Sequence, residues 1–281
     1  MSRQTNMPKN RLKQAIVEHV RKSEQRMTPI DLERSITRNF GLSGREARKL
    51  VKSLISENSL AYTQQLGRTF VELSTNRPFH AGEGVILVPP DISFTPEPGQ
   101  ILIRIAPGAS FGTGDHPTTR IALQLIARTF RTQILPCPPG NTKVLDIGTG
   151  TGVLAIAACL MEAAQAVGID TDKCAQTEAA QNVRLNNLED YIQIKKDIKI
   201  TARNDRTSSF PLILANLRYP TLAGMQPFIS ELASPGSVLV FSGFRDDEAK
   251  DLAQTYTSSD FRQTEALTEN NWCGLVFKKT F

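Results

Sequence analysis

Apolar side chains in the first 75 residues recur at the three- and four-residue spacing of amphipathic helices. This spacing predicts helices over residues 11–22, 28–41 and 43–57. The second begins at a threonine that is followed by proline and an acid, and the third begins at a serine with a glutamate three residues later. Both are typical helix starts. Alternating segments at 60–64 and 69–73 then predict a β-hairpin.

Prolines and glycines interrupt every hydrophobic period between residues 76 and 100. We therefore expect a linker over 76–100 that contains one short strand, Val85–Val88. It would separate a small helical domain, residues 1–75, from a larger domain, residues 101–281.

The larger domain alternates strand and helix patterns. Strands are predicted at 101–105, 143–147, 166–169, 191–194, 211–215, 237–241, 261–267 and 272–278. Helices are predicted at 118–130, 152–163, 173–187, 221–233 and 246–257. Repeated alternation implies an α/β fold with a doubly wound, mostly parallel sheet. The last two strands follow one another closely, which predicts an antiparallel terminal hairpin at the edge of that sheet.

The composition, 40% hydrophobic and 22% charged, is that of an ordinary globular protein rather than a disordered or disulfide-stapled chain. No apolar run approaches the roughly 20 residues of a membrane span, and the N-terminus lacks the apolar segment of a secretory signal. The four cysteines have no C-x-x-C spacing. We expect a cytoplasmic protein with no membrane partner and no metal site.

Positive charge is concentrated at the N-terminal end. Residues 1–76 contain 14 Lys and Arg against 7 Asp and Glu, whereas the remaining residues contain 19 against 21.

Three helices followed by a hairpin resemble a winged helix-turn-helix domain, in which helix 43–57 would enter a groove and residues 66–68 would form the wing. The basic face of this helix carries Arg45, Arg48, Lys49 and Lys52. Nucleic acid is therefore a possible partner of the N-terminal domain, and a solvated basic face or a protein-docking face is the alternative.

A glycine-rich turn follows the strand predicted at 143–147, in the sequence VLDIGTGTG. Gly148, Gly150 and Gly152 would let backbone N–H groups approach a ligand, and Asp170, at the end of the next strand, could accept both hydroxyls of a ribose. A dinucleotide fingerprint would require a third glycine where Val153 stands, which disfavours NAD.

This combination resembles the first two motifs of class I S-adenosylmethionine-dependent methyltransferases. The resemblance implies a seven-stranded methyltransferase sheet and S-adenosyl-L-methionine as cofactor. It also assigns a cofactor-binding role to Asp146, which precedes the glycine turn.

A more specific resemblance lies upstream, where residues 105–119 read IAPGASFGTGDHPTT. This segment is similar to the PGxxFGTGxHPTT loop of the ribosomal protein L11 methyltransferase family, in which the loop folds over the methionine part of the cofactor. The resemblance continues after later strands and in the last hairpin, over roughly residues 80–281. It implies that the loop contributes seven residues to the cofactor site: Phe111, Gly112, Thr113, Gly114, His116, Thr118 and Thr119. His116 could instead only stabilise the loop.

Asn216 follows the strand predicted at 211–215 and is the residue that we expect to orient a target nitrogen, besides contacting the cofactor. It begins an N-x-x-Y spacing that ends at Tyr219, as in methyltransferases that act on amide or exocyclic amino nitrogens, but the two prolines of that motif are missing. A cap for the following helix is the alternative role.

The resemblance implies a methyltransferase that modifies a protein nitrogen, a lysine ε-amine or an α-amine, on a protein substrate for which the family suggests a ribosomal protein. In the family, the N-terminal substrate-binding domain is an α/β domain that binds ribosomal protein L11. The pattern of residues 1–75 here instead predicts basic helices and a wing. An RNA or small-molecule methyltransferase, or a DNA-binding regulator that senses the cofactor, are the alternatives.

Overall fold

The computed structural model describes residues 8–280 apart from 24, 66, 75, 113, 115 and 198–208. The chain divides into two compact units, one that ends at Arg77 and one that begins at Pro78. Within the described residues, no helix combines the length and the apolar character needed to cross a bilayer.

The first unit contains the predicted helices and hairpin: α1 (Lys9–Lys22), α2 (Pro29–Phe40), α3 (Gly44–Ser56), β1 (Leu60–Gln65) and β2 (Arg68–Leu73). Thr28 and Ser43 cap α2 and α3, and each exchanges hydrogen bonds with the acid three residues later. The apolar faces of the helices meet in a core that includes Ile16, Leu32 and Leu54. Strands β1 and β2 are antiparallel. Residue 66 of the predicted wing lies outside the described residues.

The segment that follows differs from the predicted linker. Strand β4 (Val85–Val88) is present as predicted, but it pairs with β3 (Phe79–Gly82) and with β5 (Ile101–Arg104) in a separate three-stranded sheet of the described residues. Strand 101–104 therefore does not join the main sheet. The prolines and glycines limit each strand to four residues, and pairing with one another stabilises the three strands.

The main sheet is doubly wound, as predicted. Among the described residues it has seven strands in the order β11-β12-β10-β9-β6-β7-β8. The strands are β6 (Lys143–Ile147), β7 (Gln165–Ile169), β8 (Ile192–Lys195), β9 (Leu212–Asn216), β10 (Val238–Arg245), β11 (Phe261–Glu269) and β12 (Trp272–Lys279). Strands β6 to β10 run parallel, and β12 is antiparallel to both β10 and β11. The mostly parallel sheet with an antiparallel terminal hairpin is confirmed.

Helices cover both faces of this sheet: α4 (Pro117–Arg131), α5 (Val153–Leu160), α6 (Lys173–Leu185), α7 (Tyr219–Gly224), α8 (Gln226–Leu232) and α9 (Ala249–Thr257). Successive side chains of β9 pack on opposite faces of the sheet, because side chains alternate along a strand. Leu212 and Leu214 pack in the core with α4, α5 and α6, whereas Ile213 packs with α7, α8 and α9.

The prediction of one continuous helix over 221–233 is wrong. It is divided into α7 and α8, which meet at Met225. Pro227 lies at the start of α8. Proline cannot donate the helical hydrogen bond and its ring clashes with the carbonyl four residues earlier, so one straight helix cannot pass this point.

Candidate functional site

A cavity of about 850 Å³ opens at the carboxyl ends of the parallel strands. Ligands of open α/β sheets bind at this edge. Of the residues predicted to form the site, seven line the cavity: Phe111, His116, Thr118, Gly148, Gly150, Asp170 and Asn216. The structure thus brings together residues that come from four separate segments of the chain.

The glycine turn between β6 and α5 has no room for side chains at its first two glycines. A Cβ atom on Gly148 would lie 2.5 Å from Leu217 Cδ2, and one on Gly150 would lie 2.5 Å from the carbonyl oxygen of Phe111. Both residues also have a positive φ, 68° and 54°. Their backbone therefore forms part of the cavity wall directly. Gly152 begins α5 and packs against α6 instead of lining the cavity.

Asp170 follows β7 and its half-buried carboxylate lies against the glycine turn. Its Oδ2 accepts the Gly150 N–H at 3.0 Å, and its Oδ1 accepts the Asp172 N–H at 2.9 Å. These two bonds fix the orientation of the carboxylate at the cavity. Each oxygen keeps a further lone pair that can accept a hydroxyl of a ligand.

Asp146 lies beneath the cavity and does not line it. The side chain is 1% exposed, and its Oδ2 accepts the Thr149 hydroxyl at 2.6 Å and the Ala155 N–H at 3.2 Å. Burial raises the pKa of Asp146 to about 6; the bonds from Thr149 and Ala155 oppose this rise, and the charge of Asp170 adds to it. Asp146 therefore ties the glycine turn to the first turn of α5.

The loop before α4 is bound to the glycine turn through Thr151. The carbonyl of Phe111 accepts the Thr151 N–H, and the carbonyl of Gly112 accepts the Thr151 hydroxyl, both at 3.1 Å. The Phe111 ring is 52% exposed at the cavity. Gly112 packs on Thr151 and Gly114 packs on the three-stranded sheet, so neither lines the cavity. Thr113 lies outside the described residues.

His116 caps α4, which agrees with the loop-stabilising alternative. Its Nδ1 accepts the Thr118 N–H at 3.3 Å, and its ring makes edge contacts with Phe111 and Trp272. Burial lowers the pKa of His116, and the positive charges of Arg120 and Arg245 lower it further. The ring is therefore neutral at pH 7 and forms an uncharged part of the cavity wall.

Two threonines follow His116 in the first turn of α4. Thr118 lines the cavity, whereas Thr119 is fully buried in the core. Only the first of the two can therefore contact a ligand.

Asn216 ends β9 and lines the cavity. Its Oδ1 is buried and has no hydrogen-bond partner among the described residues. It is not the cap of the next helix, because α7 has Arg218 at its N-cap position and no side-chain cap bond. Tyr219, which completes the N-x-x-Y spacing, is the first residue of α7 and packs, partly buried, against the core on that face of the sheet. Of the two residues of the N-x-x-Y spacing, only Asn216 therefore lines the cavity.

Sequence reasoning missed several lining residues, among them Asp172, Lys196, Asp197, Thr221, Met225 and Phe228. Lys196 and Asp197 follow β8, so the rule that parallel strands end at the same edge could have found them. Trp272 lies in the last hairpin, which the resemblance covers, but it was not predicted to line the site. The residues of α7 and α8 gave no sequence signal, because only the packing of these helices brings them to the cavity.

Comparison with known proteins gives consistent matches. The family model for ribosomal protein L11 methyltransferase (PrmA) matches residues 72–280. The ribosomal protein L11 methyltransferase of Syntrophotalea carbinolica is 31% identical over 198 residues, which are 70% of this chain and 62% of that protein. The protein of the same name from Chloroflexus aurantiacus is 30% identical over 219 residues, 70% of this chain and 64% of the relative.

Among solved structures, the ribosomal protein L11 methylase from Lactobacillus delbrueckii subsp. bulgaricus is similar, with a TM-score of 0.62 and 26% identity. The match covers 73% of this chain and all of that chain. The chain spans less than two thirds of the length of the two curated relatives.

Proposed function

The chain belongs to the ribosomal protein L11 methyltransferase family, and from this premise we propose that it transfers a methyl group from S-adenosylmethionine to a protein nitrogen, a lysine ε-amine or an α-amine. One observation carries the proposal. The same cavity has the glycine turn and Asp170 in one part of its wall and, in another, the Asn216 amide oxygen, which has no hydrogen-bond partner in the part of the chain that the structure describes.

The residues present fit this cofactor. Asp170 would accept the ribose hydroxyls, and the backbone of Gly148 and Gly150, which has no side chain at the cavity wall, would contact the cofactor directly. The loop at Phe111 would cover the methionine part. When bound, the cofactor supplies an electrophilic methyl group on a sulfonium.

Methyl transfer is an in-line displacement, so the chain's own contribution is alignment and exclusion of water. The Asn216 Oδ1 would accept an N–H of the incoming neutral amine and direct its lone pair. The aromatic rings of Phe111, neutral His116 and Trp272 lie together at the cavity and would exclude water there.

For the acceptor we propose a ribosomal protein, the substrate class that the names of the relatives indicate. A ribosomal acceptor agrees with the cytoplasmic location that the sequence predicts. The proposal is tested by incubating the purified chain with methyl-labelled cofactor and a ribosomal protein fraction. Label should enter material that protease removes and nuclease does not. Label that only nuclease removes would show that the methyl acceptor is RNA and not protein.

The Asn216→Ala variant tests the role of the amide in this assay. We expect kcat to fall by about 100-fold, the scale of one lost transition-state donor or acceptor, while cofactor affinity changes little. Asn141→Ala, an exposed residue that does not line the cavity, is the matched control. Equal losses of rate and cofactor affinity would place Asn216 in the cofactor pocket alone.

A specific observation favours nucleic acid as a second partner, bound by α3. Arg45, Lys49 and Lys52 are exposed, and none of them has an ion-pair partner within the part of the chain that the structure describes. Arg48, the fourth predicted contact, instead binds both carboxylate oxygens of Glu33 at 3.2 Å. We therefore propose that three side chains of α3, rather than four, are available for phosphates.

A further inference from the structure

Side chains spaced four residues apart along α6 bind the backbone of residues 104–110, the segment that leads to Phe111 at the cavity. Asn186, which caps the helix, accepts the Arg104 N–H and donates to the Arg104 carbonyl, both at 2.8 Å. Asn182, one turn earlier, accepts the Ala106 N–H at 2.9 Å. These side chains at intervals of four residues lie on one face of the helix, as its period requires.

Glu178 continues this row at the end nearest the cavity. Its Oε1 accepts the Ala109 N–H at 3.0 Å, and its Oε2 accepts the Ser110 N–H at 2.9 Å. Ala109 and Ser110 both line the cavity and directly precede Phe111. Unlike the two asparagines, Glu178 therefore binds backbone that belongs to the cavity wall itself.

The neighbouring glycine makes this close approach possible. A Cβ atom on Gly108 would overlap both carboxylate oxygens of Glu178. Hydrogen bonds in which the acceptor is ionised are about twice as strong as neutral ones. Burial by itself would raise the pKa of Glu178, but the bonds from Ser110 and Ala109 outweigh it and lower the pKa, so the carboxylate is ionised at neutral pH.

We propose that Glu178 is a positioning residue, whose carboxylate holds the backbone of Ala109 and Ser110 so that the Phe111 loop forms the wall of the cofactor cavity. Glu178 does not line the cavity, so it acts through the loop and not by contact with the ligand. The inference rests on the proposed function, because the cofactor that the loop covers is S-adenosylmethionine.

The first measurement needs no cofactor. Hydrogen exchange of the full chain reports how well the Ala109 and Ser110 amides are protected. Glu178→Ala removes both acceptors, and Glu178→Gln replaces one of them by an amide N–H group, which cannot accept. We expect both amides to exchange faster in Glu178→Ala, and one of them in Glu178→Gln. Exchange that is unchanged in Glu178→Ala would overturn the proposal.

The second measurement is the affinity for S-adenosylmethionine by calorimetry, together with KM and kcat. Glu178→Ala should weaken cofactor binding by about tenfold or more and raise the KM for the cofactor, with a smaller change in kcat. Glu178→Gln should lie between this variant and the original chain. Faster exchange with unchanged affinity would refute the positioning role.

Gln181→Ala is the matched control, because Gln181 is an exposed residue of the same helix and not part of this row. It should change neither measurement, and if it changes both as Glu178→Ala does, the effect comes from α6 as a whole and the proposal fails. If the unaltered chain does not bind the cofactor, the proposed function fails, while the exchange measurement still decides whether Glu178 holds the loop.

Discussion

Asp146 lies near the end of β6 and Asp170 directly follows the neighbouring strand β7, yet their surroundings give the two carboxylates different tasks. Asp170 is half-buried and faces the cavity, where it accepts two backbone N–H groups. Asp146 is buried beneath it and bonded to the turn. We therefore expect Asp170 to bind a ligand and Asp146 to stabilise the glycine turn.

Replacing Asp170 by Ala should weaken S-adenosylmethionine binding by about 1.5–3 kcal/mol, the scale of hydrogen bonds to a charged group. Calorimetry on the full chain measures this loss. Asp91→Ala, an exposed aspartate away from the cavity lining, serves as the control. A dissociation constant equal to that of the original chain would remove Asp170 from the site.

Asp146 should make stability depend on pH. Its pKa rises from 3.8 to about 6 on folding, so between these values the folded chain binds more protons than the unfolded chain. The free energy of unfolding therefore falls as pH rises through this window, by about 3 kcal/mol for a shift of this size, and the loss is complete above pH 6.

Urea denaturation at several pH values checks this expectation. Asp146→Asn cannot ionise, so its stability should lack this decline, and Asp91→Asn should keep it. Parallel pH profiles of the original chain and Asp146→Asn would contradict the raised pKa.

At the scale of single elements, α3 is the helix whose exposed face decides between partners. If Arg45, Lys49 and Lys52 contact phosphates, the affinity for duplex RNA should fall with salt, with a logarithmic slope of about 2–3, since each contact contributes roughly 0.7–0.9. The triple alanine variant should reduce binding and leave cofactor affinity unchanged.

Filter binding or fluorescence anisotropy over a salt series measures both quantities. A triple variant of α1, with Lys9, Arg11 and Lys22 replaced by Ala, removes the same charge from another exposed surface. Equal losses in the two triple variants would indicate attraction by net charge alone. A flat salt response would favour a solvated face or a protein partner.

For the whole molecule, the boundary between the two units determines which fragment can fold. All residues that line the cavity lie in the unit that begins at Pro78. The main core of this unit also includes Phe79, Val85 and Leu87 of the three-stranded sheet, packed with residues of α4.

A fragment of residues 78–281 should therefore fold and bind S-adenosylmethionine with the affinity of the full chain. A fragment of residues 101–281 should be less stable by several kcal/mol, because burying each large apolar side chain contributes about 1.5–3 kcal/mol. Thermal unfolding and calorimetry compare the two. If the shorter fragment is as stable as the longer one, residues 78–100 are a linker after all.

Interactions between residues close in the chain were open to prediction. The capping boxes at Thr28 and Ser43 involve partners three residues apart, and the mostly buried strand β6 leads into glycines that only a tight turn explains. Alternation of strands and helices likewise determined the doubly wound class. The glycine turn, Asp170 and Asn216 could be found because the ends of parallel strands meet at one edge.

Contacts between separate segments of the chain determined the three-stranded sheet and several residues at or near the cavity. Strands of four residues, such as β3 and β5, carry too little pattern to reveal their pairing, so the three-stranded sheet was predicted as a linker and an isolated strand. Glu178 binds backbone about 70 residues earlier in the chain, and Phe228 of α8 lines the cavity through tertiary packing. Periodicity along a sequence records which face of an element is apolar, but it contains no information about which other element covers that face; only tertiary packing determines this.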